Sequence, residues 1–117
     1  MTLAEMASRL DLVDLTPALR SVKGSEATVG HASDLLSEVL ASASRRGVLV
    51  TIQAHMNTVA VAVHAGLVAV IFASSKRPGE DVILRSVEKG IQLYLSSEST
   101  FTVAGRLYEL GLRGSVA

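Results

Sequence analysis

The fifteen residues from Val59 to Ala73 are almost continuously aliphatic, and only His64 and Gly66 interrupt them. A run of this kind is either a helix within a membrane or a pair of strands buried on both faces. A helix that spans a bilayer needs about 20 mostly apolar residues, whereas this run is shorter and carries a histidine near its centre. The sequence therefore favours a buried sheet and predicts no membrane insertion.

Two strands are predicted within this run. Val59, Val61 and Val63 alternate with alanine and histidine, and β-branched residues at every second position favour extended backbone. The residues that follow alternate in the same way, which predicts strands over 58–65 and 67–73 joined by a tight turn. Because both strands are apolar on both faces, we expect them in the interior of the sheet, covered on each side.

A third strand is predicted just upstream, over 48–55. One of its faces is apolar, and Thr51, Gln53 and His55 lie on the other, which is the alternation of a strand with one wet face. The three strands then form an antiparallel meander. The sequence thus predicts an α/β fold of the α+β type, in which a single antiparallel sheet is flanked by helices in a layered sandwich.

Helices are predicted on both sides of the meander. Apolar residues recur at three- and four-residue spacing over 27–46, which predicts an amphipathic helix. Two arginines followed by Gly47 end this segment, a typical stop because cations and a left-handed glycine both suit a helix C-terminus. A second stripe predicts a helix over 80–95, with Gly90 inside it at a cost of about 1 kcal/mol relative to alanine.

The two ends of the chain have weaker patterns. Thr2 and Glu5 have the spacing of a capping box, which predicts a short helix over 3–10. Residues 11–25 fit two short strands around a central proline. The segment 99–114 fits a hairpin and a helix equally well, and both alternatives stay open at this point.

Composition bounds the class of protein. The 117 residues suit one domain, so residues 1–117 are assigned to a single domain. Eleven basic and eleven acidic residues balance, whereas a nucleic-acid-binding domain usually has a basic surplus; nucleic acid is not an expected partner. The chain has no cysteine, which excludes disulfides and thiolate catalysis. Together with an N-terminus that lacks the apolar core of a secretory signal, this predicts a cytoplasmic location.

The histidines are the sharpest candidates for metal chemistry. His31, His55 and His64 are the three in the chain, and a zinc site needs three or four converging ligands. On the predicted meander His55 and His64 lie on adjacent strands and face each other. Because two histidines do not complete a ligand set, we predict no metal site; a small metal-binding protein or enzyme that uses the histidines is kept as an alternative function.

No catalytic residue is predicted. The chain contains neither the G-x-S-x-G pattern of a nucleophile elbow nor the G-x-x-x-x-G-K-[ST] pattern of a phosphate-binding loop. The basic pairs Arg45-Arg46 and Lys76-Arg77 are assigned to a helix C-terminus and a solvated loop. Glu80-Asp81 is explained by charge complementarity at a helix N-terminus. We therefore expect no enzyme activity and no cofactor.

The order of helix, three-strand meander and helix resembles the roadblock/dynein light chain family. The segments that carry the resemblance are "GHASDLLSEVLASASRR", "VLVTIQAHMNTVAVAVHAG", "LVAVIFASS" and "EDVILRSVEKGIQLYL", and together they cover about residues 27–95. The resemblance implies the layered, roadblock/profilin-like core of that family. The chain is also similar to bacterial PATAN-type domains, which would make residues 100–104 a final strand on the sheet.

The roadblock resemblance implies a non-enzymatic homodimer that regulates or scaffolds a partner, with a small Ras-like GTPase as the expected partner class. Members of that family pair their sheet edges and their second helices. The strand 48–55 and the alanine-rich helix 27–46 are also suited on physical grounds to join another copy. The residues predicted at this interface are Val39, Ala43, Val48, Val50, Ile52 and Ala54. A PATAN-like signalling or protein-interaction domain is the alternative function.

Overall fold

A computed structural model describes residues 1–115, in which helices and short strands alternate along the chain. The helices are α1 (Leu3–Arg9), α2 (Leu36–Ser42), α3 (Met56–Ala65), α4 (Glu80–Lys89) and α5 (Thr100–Glu109). The strands are β1 (Val13–Asp14), β2 (Val29–Ala32), β3 (Val48–Thr51), β4 (Ala69–Phe72), β5 (Gln92–Leu95) and β6 (Arg113–Gly114). A 3₁₀ turn covers Ser21–Gly24.

The strands form one mostly parallel sheet in the order β1-β5-β4-β3-β2-β6. Strands β2 to β5 run parallel to one another, β6 lies parallel to β2, and β1 alone is antiparallel, to β5. Parallel neighbours cannot be joined by a tight turn, because the chain must return to the same end of the sheet before the next strand begins. Helices α2, α3 and α4 make these returns between β2, β3, β4 and β5.

The predicted antiparallel meander is therefore wrong, although the α/β class is confirmed. Of the three expected strands, 48–55 contains β3 and 67–73 contains β4, and these two pair in parallel. The segment 58–65 lies within the helix α3. The preference of valine for strands is a weak bias that tertiary packing overrides.

Gly66 explains why the turn after α3 was misassigned. A glycine between two apolar segments is typical of a hairpin turn, but here Gly66 has a φ of 69° and caps the C-terminus of α3 in the left-handed conformation. The longest helices in residues 1–115 have ten residues. None of the helices described is long and apolar enough to cross a membrane.

Two segments that were predicted as single helices each contain a strand and a shorter helix in the structure. The segment 27–46 contains β2 and α2, and 80–95 contains α4 and β5. Gly90 does not lie inside a helix: its φ of 73° ends α4 before β5 begins. The stop after α2 also differs, because the helix ends at Ser42 with Ala43 in extended conformation as its C-cap. The left-handed residue is Arg46 in the loop before β3, with a φ of 64°, and not Gly47.

At the N-terminus the first helix is confirmed. The backbone N–H of Glu5 donates to the Thr2 hydroxyl, and the N–H of Thr2 donates to the Glu5 carboxylate, each at 3.1 Å. The hydrogen bonds that the N–H and the hydroxyl of Thr2 donate to the Glu5 carboxylate lower the pKa of Glu5. Residues 11–25 hold one short strand and the 3₁₀ turn, so the expected pair of strands is wrong.

At the other end, the segment left open between hairpin and helix contains the helix α5, followed by the short strand β6. Residues 100–104 are helical. The final strand implied by the PATAN resemblance is therefore wrong.

The sheet separates two apolar cores, as expected when side chains alternate along each strand. On one face, Leu49, Val70 and Leu93 pack beneath the helices that join the parallel strands. On the other face, Val50 and Ile71 pack beneath α1 and α5. The protein is thus a three-layer α/β sandwich whose central strands are covered on both sides.

Candidate functional site

The carboxyl ends of the four parallel strands β2 to β5 lie along one edge of the sheet, and the loops that follow them are 33–35, 52–55, 73–79 and 96–99. The first three loops lead to helices on one face, whereas 96–99 leads to α5 on the opposite face. The chain therefore leaves the neighbouring strands β4 and β5 in opposite directions. Ligands of open α/β sheets bind preferentially at such a divergence, and we name the surface formed by loops 73–79 and 96–99 the switch crevice.

The two loops of the switch crevice are joined directly by backbone hydrogen bonds. The N–H of Ser74 donates to the carbonyl of Glu98, and the N–H of Ser75 donates to the carbonyl of Ser96, each at 2.8 Å. Ser74 and Ser75 have φ values of 55° and 56°. Left-handed backbone costs a residue other than glycine about 1 kcal/mol or more, and such strain concentrates at functional sites. Two consecutive strained serines therefore single out this loop.

Cations stand at the rim of the switch crevice. Lys76 and Arg77 are both exposed. Arg77 has one carboxylate neighbour, Glu80, at 3.9 Å, and an exposed pair at this distance is weak. Glu80 and Asp81 occupy the first turn of α4, where their negative charges complement the helix dipole. Loop 73–79 thus exposes two cations directly after Ser74 and Ser75.

Loop 96–99, on the other side of the switch crevice, is held by contacts with α5 and α1. Ser99 caps α5 by accepting a hydrogen bond from the N–H of Thr102 at 3.2 Å. Glu98 forms an ion pair with Arg106, which also donates to the carbonyl of Arg9 at 2.9 Å. These contacts hold loop 96–99 against α5 and α1.

The neighbouring loops after β2 and β3 have a structural role. The carboxylate of Asp34 accepts hydrogen bonds from the Thr51 hydroxyl at 3.0 Å and from the N–H of Ile52 at 2.9 Å, and the Gln53 amide donates to the carbonyl of Asp34 at 3.0 Å. Asp34 thus makes structural hydrogen bonds through one carboxylate oxygen and through its carbonyl. It fixes two loops to each other beside the switch crevice.

The histidines do not converge. The ring of His31, on β2, lies 2.8 Å from the Glu38 carboxylate, and this hydrogen bond lowers the pKa of Glu38. The expected face-to-face pair of His55 and His64 is wrong, because the two residues lie at opposite ends of α3. Among residues 1–115, no group of three or more potential ligands could hold a metal ion.

The residues predicted at a dimer interface lie mostly inside the chain's own fold. Val39, Val48 and Val50 are at most 1% exposed, because α2 and the two cores already cover them. Ala43 and Ala54 are partly buried, and Ile52 is 38% exposed. The role of these six residues in self-association stays a prediction, and Ile52 is the member best placed to contact another copy.

The sequence analysis missed the serines of the switch crevice. Ser74 and Ser75 directly follow β4, and Ser96 directly follows β5. Polar residues that follow buried strands are a usable signal only when the strands are known to be parallel, because parallel strands end at the same edge. The prediction of a single helix over 80–95 placed no strand end before Ser96 and concealed the site.

No family model and no curated protein matches the chain. Its fold does match a crystal structure of the CBS and DRTGG domains from the regulatory region of the Clostridium perfringens pyrophosphatase, complexed with the activator diadenosine tetraphosphate. The TM-score is 0.72 at 13% sequence identity, and the match covers 95% of this chain and 47% of that one. The chain thus spans about half the length of this structural neighbour, and the likeness shows the fold.

The roadblock/dynein light chain resemblance is wrong. The neighbour belongs to a different fold family, and the mostly parallel sheet excludes the antiparallel meander on which the resemblance depended. The function it implied, a scaffold or regulator for a Ras-like GTPase, loses its basis with the fold. The PATAN-like and histidine-based alternatives gain no support, since residues 100–104 are helical and the histidines are separated.

Proposed function

We propose that this chain is a non-catalytic regulatory domain that binds a phosphate-bearing small molecule in the switch crevice. The observation that carries the proposal is the divergence of the chain after β4 and β5, at a surface where Ser74, Ser75 and the cations Lys76 and Arg77 are exposed. Ligands of α/β sheets concentrate at such points. Phosphate oxygens are well matched by hydroxyl donors and by arginine and lysine.

The regulatory assignment draws on the structural neighbour. That protein is the regulatory region of a pyrophosphatase, with a dinucleoside tetraphosphate as its activator, and it supports choosing nucleotides as the first phosphate ligands to test. A non-catalytic role is supported by the same likeness, since the neighbour is a regulatory region. On this proposal a bound nucleotide is retained intact.

Isothermal titration with ATP and diadenosine tetraphosphate tests the proposal, with adenosine as the ligand that lacks phosphate. We expect both phosphate ligands to bind and adenosine to bind at least tenfold more weakly, because the cations recognise charge. The double substitution Lys76→Gln with Arg77→Gln should weaken phosphate binding at least tenfold. Chromatography of the ligands after incubation should recover them unchanged.

The matched control is Arg85→Gln with Lys89→Gln, which removes the same two charge types from the exposed side of α4. This variant should bind the phosphate ligands as the unmodified protein does. Equal weakening by both double variants would reduce the interaction to general electrostatics and overturn the proposed site. Absence of binding at millimolar nucleotide, or release of hydrolysed product, would equally overturn the proposal.

Self-association is a further element of the proposal, and Ile52 provides its test. Ile52 lies in loop 52–55 and is 38% exposed, so that Ile52→Asp should leave the monomer folded. If copies pair through this surface, the variant should sediment more slowly than the unmodified protein at the same concentration. An unchanged sedimentation coefficient would exclude Ile52 from the contact.

A further inference from the structure

A concave site lies on the outer side of the helical layer, between α3 and α4. It has a volume of about 320 Å³. Its lining residues are Met56, Val59, Ala60, Val63 and His64 from α3, with Arg85 and Lys89 from α4. None of these residues belongs to the loops of the switch crevice. We name this site the α3–α4 groove.

The wall contributed by α3 is apolar and reaches solvent. Met56 and Val63 are 36% and 42% exposed, and Ala60 lies between them on the same side of the helix, since residues four and seven apart share a face. The small alanine leaves the middle of this wall open. Exposed valine and methionine side chains along one groove offer an apolar ligand more contact area than isolated surface residues would.

The wall contributed by α4 is cationic. Arg85 and Lys89 are four residues apart, so they project from the same side of the helix. Within residues 1–115 neither forms an ion pair, although α4 also carries acidic residues. The helix dipole favours a cation in the last turn, which accounts for Lys89. It gives no reason for Arg85, one turn earlier, to face an apolar groove without a counter-ion.

We infer that the α3–α4 groove binds a small anionic amphiphile, namely a monocarboxylate with an alkyl chain of medium length. The alkyl chain would lie along Met56, Ala60 and Val63, and the carboxylate would contact Arg85 and Lys89. A volume of about 320 Å³ is at the small end of the range for ligand pockets, which suits a single small molecule better than a helix of a partner protein. Arginine and lysine are the side chains that bind carboxylates in proteins.

Decanoate is the probe for this site. Titration followed by ¹H–¹⁵N correlation spectra should shift the amide signals of α3 and α4 while those of loop 73–79 stay in place. Decanol and the decyltrimethylammonium cation carry the same chain without the negative charge, and both should bind at least tenfold more weakly. Arg85→Gln with Lys89→Gln should reduce decanoate affinity by a similar factor.

Two further variants distinguish binding in the groove from a general effect of added negative charge. Val63→Asp places a negative charge within the groove and should abolish decanoate binding. Leu84→Asp places the same charge on the exposed surface of α4, outside the groove, and should leave binding unchanged; circular dichroism checks that both variants fold. Equal binding of the decyl cation, unchanged affinity after the double substitution, or binding of an acidic amphipathic peptide in place of decanoate would overturn the inference.

Discussion

The helix α3 and the strand β4 are the two halves of a single aliphatic run, and they differ in structure although their compositions are nearly the same. Every residue of β4 is buried. In α3, Ala60, Val63 and His64 are exposed while Val59 and Ala62 are buried. The strand lies between two helical layers, whereas the helix covers one face of the sheet and meets solvent on its other side.

The comparison shows how little intrinsic preference weighs against burial. Placing valine in a helix costs about half a kcal/mol or less per residue relative to alanine. Burying an aliphatic side chain contributes roughly 1.5–3 kcal/mol. Three valines in α3 are therefore tolerated because the helix returns the chain to the start of β4, which allows β4 to occupy the centre of the sheet.

Among the tests of this comparison, Val70→Ala in β4 should lower the free energy of unfolding the most. Val70 is fully buried beneath the joining helices, and the substitution removes two methyl groups without an obvious way for the core to collapse. We expect the free energy of unfolding to fall by about 2–3 kcal/mol. Urea denaturation measures this change, and a loss below about 1 kcal/mol would show that the centre of the sheet is loosely packed.

Gly66 marks the boundary between the two halves. Its φ of 69° is unfavourable for any residue with a Cβ atom, and a Cβ here would lie 2.9 Å from the guanidinium carbon of Arg45. We expect Gly66→Ala to lower the free energy of unfolding by about 1–2 kcal/mol. Thermal denaturation provides the measurement.

Gly105→Ala is the matched control for Gly66. Gly105 lies inside α5, where its φ is not positive and a Cβ would meet no atom within 4 Å. Alanine there should raise the stability by up to about 1 kcal/mol, because glycine is a poor helix former. Equal effects of the two substitutions would contradict a left-handed cap at the end of α3.

Raising the pH tests the burial of β5, the strand that pairs with β4. Tyr94 is paired in register with Ile71 of β4 and is 1% exposed. Burial, with a smaller effect of the negative charge of Asp14, raises the pKa of Tyr94 to about 12. Because the folded pKa exceeds the ordinary value of 10, its contribution to stability is complete below pH 10 and is lost as the pH rises towards 12.

The measurement is urea denaturation at pH 10 and pH 11 for the unmodified protein and for Tyr94→Phe. We expect the unmodified protein to lose about 1 kcal/mol more than the variant across this interval. Identical pH dependence in the two proteins would show that Tyr94 ionises as freely in the folded state as in the unfolded chain.

The smallest expected effect comes from Val63→Ala in α3, the same chemical change as Val70→Ala. Val63 is 42% exposed, so it loses little buried area, and alanine is the better helix former. The free energy of unfolding should change by less than about 0.5 kcal/mol. A loss comparable with that of Val70→Ala would mean that both halves of the run are equally buried, in conflict with the comparison.

Individual elements show which parts of the structure could be predicted from the sequence. The capping box at Thr2 and Glu5 placed α1, because such a cap depends on residues three apart. Strand β4 was found within its predicted range because its side chains are apolar on both faces. Strand β3 was found from its alternating pattern, although the face predicted to be wet is buried at Thr51. The serines of the switch crevice and the cations of the α3–α4 groove were missed as sites, since each becomes one only when distant segments are brought together.

By itself the sequence determined that the chain has an aliphatic core, an α/β mixture of elements, a capped first helix and no chemistry based on cysteine. Only the tertiary structure decided that the sheet is mostly parallel, that 58–65 is helical, and that the loops after β4 and β5 meet. The physical reason is that a hydrophobic pattern reports which side chains are withdrawn from water. The direction of a strand and the choice between helix and strand in an aliphatic run depend on which layers cover it, and those layers come from the rest of the chain.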